Sequence, residues 1–207
     1  MKMAIAEGLL KSCSYLKYRA IVADLLANGK SSGKEQTKEL TDYSALNQVR
    51  MTRIDKKMVI TEESVQKLLS LKKKYIWLVL SEGWCGDAAQ LLPIFNKMAS
   101  ITKHIELKLI FRDENEKLMQ LFLTHGAKAI PKIIILENET GEILGHWGPR
   151  PKGAADLIRS YKLQYGLIDE TAKTELQLWY LHDKGLTTQT ELVNLMLNLE
   201  QLNLQTR

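Results

Sequence analysis

The sequence of 207 residues contains only two cysteines, Cys13 and Cys85. This scarcity excludes a framework of disulfide bonds and is typical of a reducing compartment. No stretch approaches the roughly 18 apolar residues that a membrane-spanning helix needs, and Glu7 interrupts the apolar N-terminus too early for a signal peptide. We therefore expect a cytoplasmic protein that has no membrane partner.

The chain also lacks the pattern of basic and aromatic residues that is typical of nucleic-acid binding. Its formal net charge is +5, but the excess lies before residue 61, and the one compact basic run is Lys72 to Lys74. The histidines show no metal-ligand spacing with each other or with the cysteines. They are His104, His125, His146 and His182. We expect no nucleic-acid partner, no metal site and no cofactor.

Hydrophobic periodicity divides the chain into three parts. Apolar residues at helical spacing predict an N-terminal helical extension over residues 1–60 and a C-terminal one over residues 166–207. Thr188 and Glu191 form a capping-box pattern that predicts the start of the last helix. The leucine repeat of that helix spans less than two heptads, which favours packing on the domain over a coiled coil. We expect a monomer or a weak homodimer.

Residues 61–165 alternate between helices and strands. The continuous apolar run "YIWLVL" (75–80) predicts a strand that is buried on both faces. Further strands are expected at "IELKLI" (105–110), "KIIIL" (132–136) and "EILGHW" (142–147), the last two joined by a hairpin with Gly141 at positive φ. Helices are expected over 61–71, 85–100 and 152–165, and another is expected to open at Asp113 with Glu116 in a capping box. The order predicts an α/β fold with a mixed sheet flanked by helices.

Three local patterns resemble the thioredoxin superfamily. They are "WCGD" between a buried strand and a helix, Pro93 inside that helix, and "AIPKIII" at the start of a later strand. The resemblance covers about Thr61 to Tyr165 and implies a thioredoxin-like domain with helical extensions on both sides. The longer strings "EGWCGDAAQ", "LIFRDEN" and "WGPRP" are similar to a bacterial subgroup of thioredoxin-like proteins, some of which carry cysteine at the position of Ala88.

The resemblance implies roles for individual residues. Cys85 matches the family's nucleophile, and a helix N-terminus at this point is expected to expose its thiolate and to lower its pKa. Pro131 matches the cis-proline whose preceding backbone pairs with a bound peptide. The residues expected to contact a substrate are Trp84, Gly86, Asp87, Ile130 and Pro131.

Two departures from the family change the expected chemistry. Ala88 stands where the family carries its resolving cysteine, so the step that releases a mixed disulfide needs a second thiol from elsewhere. Val79 stands where the family carries a buried carboxylate, and Asp87 cannot replace it, because a carboxylate beside the thiol raises the thiol pKa. Cys13 is an alternative resolver, provided that the two Cα atoms come within about 7 Å.

Three functions remain open on these residues. The first is a monothiol redox protein that forms mixed disulfides through Cys85 with protein or low-molecular-weight thiols and disulfides. The second is a non-enzymatic binding module that uses the groove beside Cys85 and Pro131. The third is glutathione-assisted binding of an iron-sulfur cluster, as in monothiol glutaredoxins, although "CGDA" departs from the Cys-Gly-Phe-Ser site of those proteins at two positions.

Overall fold

A computed structural model describes residues 1–205, with side chains described through residue 202. The strands are β1 (Tyr75–Ser81), β2 (Ile105–Phe111), β3 (Lys132–Glu137) and β4 (Ile143–Trp147). The helices are α1 (Lys2–Lys11), α2 (Tyr15–Ala27), α3 (Lys38–Lys57), α4 (Glu62–Leu69), α5 (Gly86–Ile101), α6 (Glu116–Met119), α7 (Lys152–Tyr165), α8 (Glu170–Asp183) and α9 (Leu186–Gln205). Within residues 1–205, none of the helices combines the length and the apolar character that crossing a membrane requires.

The four strands form one sheet in the order β2-β1-β3-β4. β1 pairs in parallel with β2 and antiparallel with β3, and β3 and β4 form an antiparallel hairpin. Every residue of β1 is buried, as the apolar run predicted. Gly141 in the hairpin has a φ of +68°. The predicted α/β fold with a mixed sheet is therefore confirmed.

Helices cover both faces of the sheet because alternate side chains of β1 point to opposite sides. On one face, Trp77 packs edge-on against Phe95 of α5, which in turn packs edge-on against Trp147 of β4. On the other face, Gly8 of α1 packs against the sheet, where an added β-carbon would lie 3.5 Å from the side chains of both Leu78 and Ile110. This central position of β1 places its carboxyl end, and the loop that follows, between the two helical layers.

The last helix is tied to the sheet by polar contacts. Glu200 of α9 accepts hydrogen bonds from the Tyr75 hydroxyl and from the backbone N–H groups of Lys72 and Lys73. The indole N–H of Trp147 donates to Glu191 at 2.8 Å. Because these donors lie on or beside the sheet, α9 is part of the packed structure around β1 and β4.

Both predicted capping boxes are wrong. α6 begins at Glu116 after Asn115, and Asp113 instead accepts a hydrogen bond from the backbone N–H of Lys34. α9 begins at Leu186, so Thr188 lies inside the helix, where it is fully buried. A capping box is a local pattern, and in both places contacts with distant parts of the chain decide the structure instead.

Candidate functional site

Cys85 occupies the N-cap position of α5, directly after the loop that follows β1. Its sulfur accepts a hydrogen bond from the backbone N–H of Ala88 at 3.4 Å. Its thiol donates to the backbone carbonyl of Ile130, also at 3.4 Å. The Ile130–Pro131 peptide bond is cis, as is the Gly148–Pro149 bond in the neighbouring loop. The fold thus brings the "WCGD" segment and the "AIP" segment together, although they are 45 residues apart.

An open groove of about 730 Å³ lies over this sulfur. α3 and α8 provide its sides, and the loops before β3 and after β4 complete it. Among the residues expected from the sequence to contact a substrate, those that line the groove are Trp84, Gly86, Asp87 and Ile130. Pro131 is buried and is not among the lining residues. The N- and C-terminal parts of the chain therefore contribute to the site.

The expectation of an exposed thiolate with a lowered pKa is wrong. Cys85 is only 8% exposed, and burial, followed by the charge of Asp87, raises its pKa from an ordinary value near 9.0 to about 12. The N–H groups of Ala88 and Asp87 and the charge of Arg150 act in the opposite direction without overcoming this. The cost of desolvating the thiolate outweighs its stabilisation by the helix N-terminus, because a thiolate in this position loses most of its hydration. Cys85 is therefore a thiol at neutral pH.

Asp87 is held in a fixed position beside Cys85. Its carboxylate forms an ion pair with Arg150 at 2.6 Å and accepts a hydrogen bond from the Tyr180 hydroxyl at 2.8 Å. Arg150 comes from the loop after β4, and Tyr180 comes from α8. Both oxygens of the carboxylate are thus engaged by the protein itself. No sequence pattern indicated a role for Tyr180 at the site, whereas Arg150 belongs to the "WGPRP" stretch.

Trp84, which directly precedes Cys85, is half-buried. Its indole N–H donates to the backbone carbonyl of Ser32 at 3.1 Å. The guanidinium of Arg112 lies over the ring, 4.9 Å from its centroid, and forms an ion pair with Asp113. These contacts fix the indole and leave it as one wall of the groove.

A buried carboxylate lies in the loop before Cys85, although Val79 occupies the strand position where the family carries its buried carboxylate. Glu82 is 0% exposed and accepts hydrogen bonds from the Ser32 hydroxyl and from the backbone N–H of Asp113. Burial raises its pKa to about 7 despite these donors. This residue was not predicted from the sequence because it lies in the loop after the strand, and the only signal was a charged residue at the first position after β1.

Cys13 is placed too far from Cys85 to resolve a mixed disulfide in this arrangement. Its backbone pairs with Leu109, which adds it beyond the edge strand β2. That position is two strand spacings from β1, or about 10 Å, whereas Cys85 lies against Ile130 on the β3 side. A disulfide requires Cα atoms within about 7 Å. The two cysteines are free thiols.

The family described as thioredoxin matches residues 33–162 of the chain. The chain belongs to this family. The predicted membership of the thioredoxin superfamily is therefore confirmed. The match includes both the "WCGD" segment and the "AIP" segment that meet at the thiol.

A protein disulfide isomerase-like 1-2 of Oryza sativa subsp. japonica is 29% identical over 119 residues, which are 51% of this chain and 23% of that protein. The chain thus spans about a quarter of the length of this curated relative. A protein of unknown function from Pseudomonas aeruginosa has a similar structure, with a TM-score of 0.59, 18% identity, and coverage of 90% of this chain and 98% of that one. An HIV epitope-scaffold gives a TM-score of 0.57, 22% identity, and coverage of 90% and 99%. These two structures support the fold alone.

Proposed function

We propose that the protein is a monothiol redox protein that forms mixed disulfides through Cys85. The observation that carries the proposal is the position of the sulfur, which lies at the start of α5 beneath an open groove and 3.4 Å from the carbonyl of Ile130. Membership of the thioredoxin family and the similarity to a protein disulfide isomerase-like protein support a redox role of the thioredoxin type. Its partners are protein or low-molecular-weight thiols and disulfides.

The proposed subgroup, cellular compartment and oligomeric state rest on the sequence. The strings "EGWCGDAAQ" and "WGPRP" favour membership of the bacterial thioredoxin-like subgroup with Ala88 in place of the resolving cysteine. The scarcity of cysteine favours a reducing cytoplasm. We propose a monomer or weak homodimer that acts without a nucleic-acid or membrane partner.

The proposed reaction is a thiol-disulfide exchange with one protein sulfur. Cys85 Sγ attacks one sulfur of a disulfide R–S–S–R, a bond forms between these two sulfurs, and the original S–S bond breaks. The departing RS⁻ takes up a proton in exchange for the one that Cys85 loses, so RSH is released. Position 88 carries only a methyl group, and a second thiol from outside the site must therefore release the adduct.

Covalent trapping tests this function. The protein is incubated with glutathione disulfide at about pH 9, where more of the thiol is ionised, and the adduct is located by intact-mass and peptide mass spectrometry. We expect one adduct on Cys85, its loss in Cys85→Ser, and its retention in the matched variant Cys13→Ser. An adduct on Cys13 alone, or none on either thiol, would contradict the proposal.

A second candidate is a binding module without redox activity. The low exposure of Cys85 and its pKa of about 12 favour it, because both reduce the reactivity of the thiol. In this function the groove between Trp84 and Ile130 holds an extended partner segment, and the sulfur is only part of its floor. Capture of the same partner by wild type and by Cys85→Ser, under reducing conditions, would favour the binding module over the redox function.

A further inference from the structure

Among the described residues, one guanidinium that lines the groove beside Cys85 forms no ion pair. Of the cationic side chains that line it, four form ion pairs with carboxylates of this chain. In the part of the chain that the structure describes, Arg50 of α3 is the remaining one, and its guanidinium donates to the side-chain oxygen of Asn47 at 3.1 Å. Asn47 is fully buried and donates in turn to the carbonyl of Gly83 in the loop before Cys85. Arg50 is therefore anchored to the same loop that carries the thiol.

Arg50 and Gln177 converge on the residue next to Cys85. A β-carbon placed on Gly86 would lie 3.9 Å from Nη1 of Arg50 and 3.9 Å from Nε2 of Gln177. The oxygen of the Gln177 amide accepts a hydrogen bond from Gln90 at 2.7 Å, and this orients its NH₂ group towards the groove. Because Gly86 has no side chain, the space between these two donors is open. Two nitrogen donors, one of them charged, thus face a gap beside the sulfur.

The carboxylates that line the groove do not neutralise the positive charge of Arg50. Asp87 is already paired with Arg150. Glu170 is paired with Lys173. Glu39 also lines the groove, but it lies eleven residues before Arg50 on α3, a distance of about 16 Å along a helix. Glu35, the remaining carboxylate of the lining, precedes the start of α3. Burial, followed by the charge of Arg53, lowers the pKa of Arg50, which indicates a cation that is partly desolvated without full compensation. A ligand with a negative charge would supply that compensation.

We infer that the groove selects low-molecular-weight disulfides that carry a carboxylate near the sulfur, and that Arg50 and Gln177 bind this carboxylate. The inference rests on the proposed thiol-disulfide exchange at Cys85 and names its class of substrate. A carboxylate fits the two donors because its oxygens accept from both a guanidinium and an amide N–H. The sulfur that Cys85 attacks would then lie only a few bonds away. Arg50 and Gln177 are specificity residues in this scheme, and they take no part in the exchange of sulfurs.

The test compares two small disulfides that differ in charge. Dithiodipropionate carries carboxylates, whereas hydroxyethyl disulfide is neutral, and the rate of adduct formation on Cys85 is measured with each. In Arg50→Gln we expect the ratio of the first rate to the second to fall about five- to tenfold, as for the loss of a partly exposed charge-assisted hydrogen bond. In the matched variant Arg53→Gln, which removes the same charge one turn further along α3, we expect a change of less than about twofold.

The outcomes separate this inference from the proposed function. Both disulfides can react with Cys85 while Arg50→Gln leaves the ratio of their rates unchanged, or while Arg53→Gln lowers that ratio equally. Either result overturns the inference and leaves the redox function intact. Absence of any adduct on wild-type Cys85 contradicts the redox function. Binding is also measured in the absence of thiol-disulfide exchange, by NMR titration of Cys85→Ser with dithiodipropionate. Saturable shifts at Gly86 and at the Gln177 side chain, lost when Arg50→Gln is added, support the carboxylate site, and their absence overturns it.

Discussion

Replacing Asp87 with asparagine should lower the pKa of Cys85 and speed its exchange with disulfides. The negative charge of Asp87 is the largest cause, after burial, of the raised thiol pKa. Asparagine keeps the shape of the side chain and can still accept the hydrogen bond from Tyr180. It removes the charge that opposes the thiolate, and it releases Arg150 from its ion pair, which leaves an uncompensated positive charge nearby. Both changes favour the ionised sulfur.

The size of the effect follows from the thiolate fraction. At a pKa of about 12, roughly one Cys85 in 10⁵ is ionised near pH 7. Removing an adjacent like charge lowers such a pKa by about one to two units, which raises the thiolate fraction about 10- to 100-fold. Part of this gain is lost because a less basic thiolate is a weaker nucleophile, with a Brønsted coefficient of about 0.4–0.5. The net increase in rate is therefore about three- to fifteenfold.

The assay follows the adduct of hydroxyethyl disulfide by mass spectrometry in a Cys13→Ser background, so that Cys85 is the single thiol. Asp156→Asn is the matched control, because Asp156 also pairs with basic side chains but lies on α7. We expect Asp87→Asn to shift the whole pH profile to lower pH and the control to leave it in place. A higher rate with no fall in the pKa of Cys85 would indicate a loosened site instead. An unchanged or slower rate in a folded Asp87→Asn protein would refute the electrostatic reasoning.

Two further predictions concern Glu82 and Ala88. Burial raises the pKa of Glu82 to about 7. Its protonated form therefore contributes stability that is fully present when the pH is below the ordinary carboxyl pKa, and this contribution is lost as the pH rises through about 7. Urea unfolding should show a loss of up to about 3 kcal/mol across that range in wild type relative to Glu82→Gln, and parallel curves for the two proteins would contradict this. Ala88→Cys places a second sulfur one turn from Cys85, within disulfide range, and should raise insulin reduction by dithiothreitol above a poor wild-type rate. Wild-type turnover equal to that of an ordinary thioredoxin would contradict the monothiol assignment.

The secondary structure could be predicted wherever local pattern and tertiary environment agree. The apolar run at 75–80 predicted β1 because a strand covered on both faces excludes polar residues. The helix predicted over 152–165 coincides with α7, which is followed by the C-cap residue Gly166 with a φ of +79°. The prediction of helix caps failed at Asp113 and Thr188. Asp113 accepts a tertiary hydrogen bond from the backbone of Lys34, and Thr188 is buried inside a helix.

Only the parts of the site that lie within short sequence motifs could be predicted from the sequence. "WCGD" and "AIP" placed the thiol and the proline step, because each motif carries its own geometry. The residues that hold Asp87 beside the thiol come from distant elements, namely Arg150 from the loop after β4 and Tyr180 from α8. No local pattern indicates which side chains of an amphipathic helix will reach a site more than 30 residues away. The burial that raises the pKa of Cys85 depends on the same packing, and for this reason the pKa shift expected from the helix terminus had the wrong direction.

The raised pKa and the missing second sulfur act together on the lifetime of an adduct. An external thiol can release Cys85 from a mixed disulfide only by expelling the Cys85 thiolate, and a thiolate of high basicity is a poor leaving group. The position of Ala88, whose N–H faces the sulfur at 3.4 Å, offers no internal thiol to accelerate that step. An adduct on Cys85 should therefore form slowly and persist. Such kinetics suit a protein that holds a thiol compound more than one that turns over disulfides rapidly, and lowering the basicity of the sulfur through Asp87 should shorten the lifetime of the adduct as well as speed its formation.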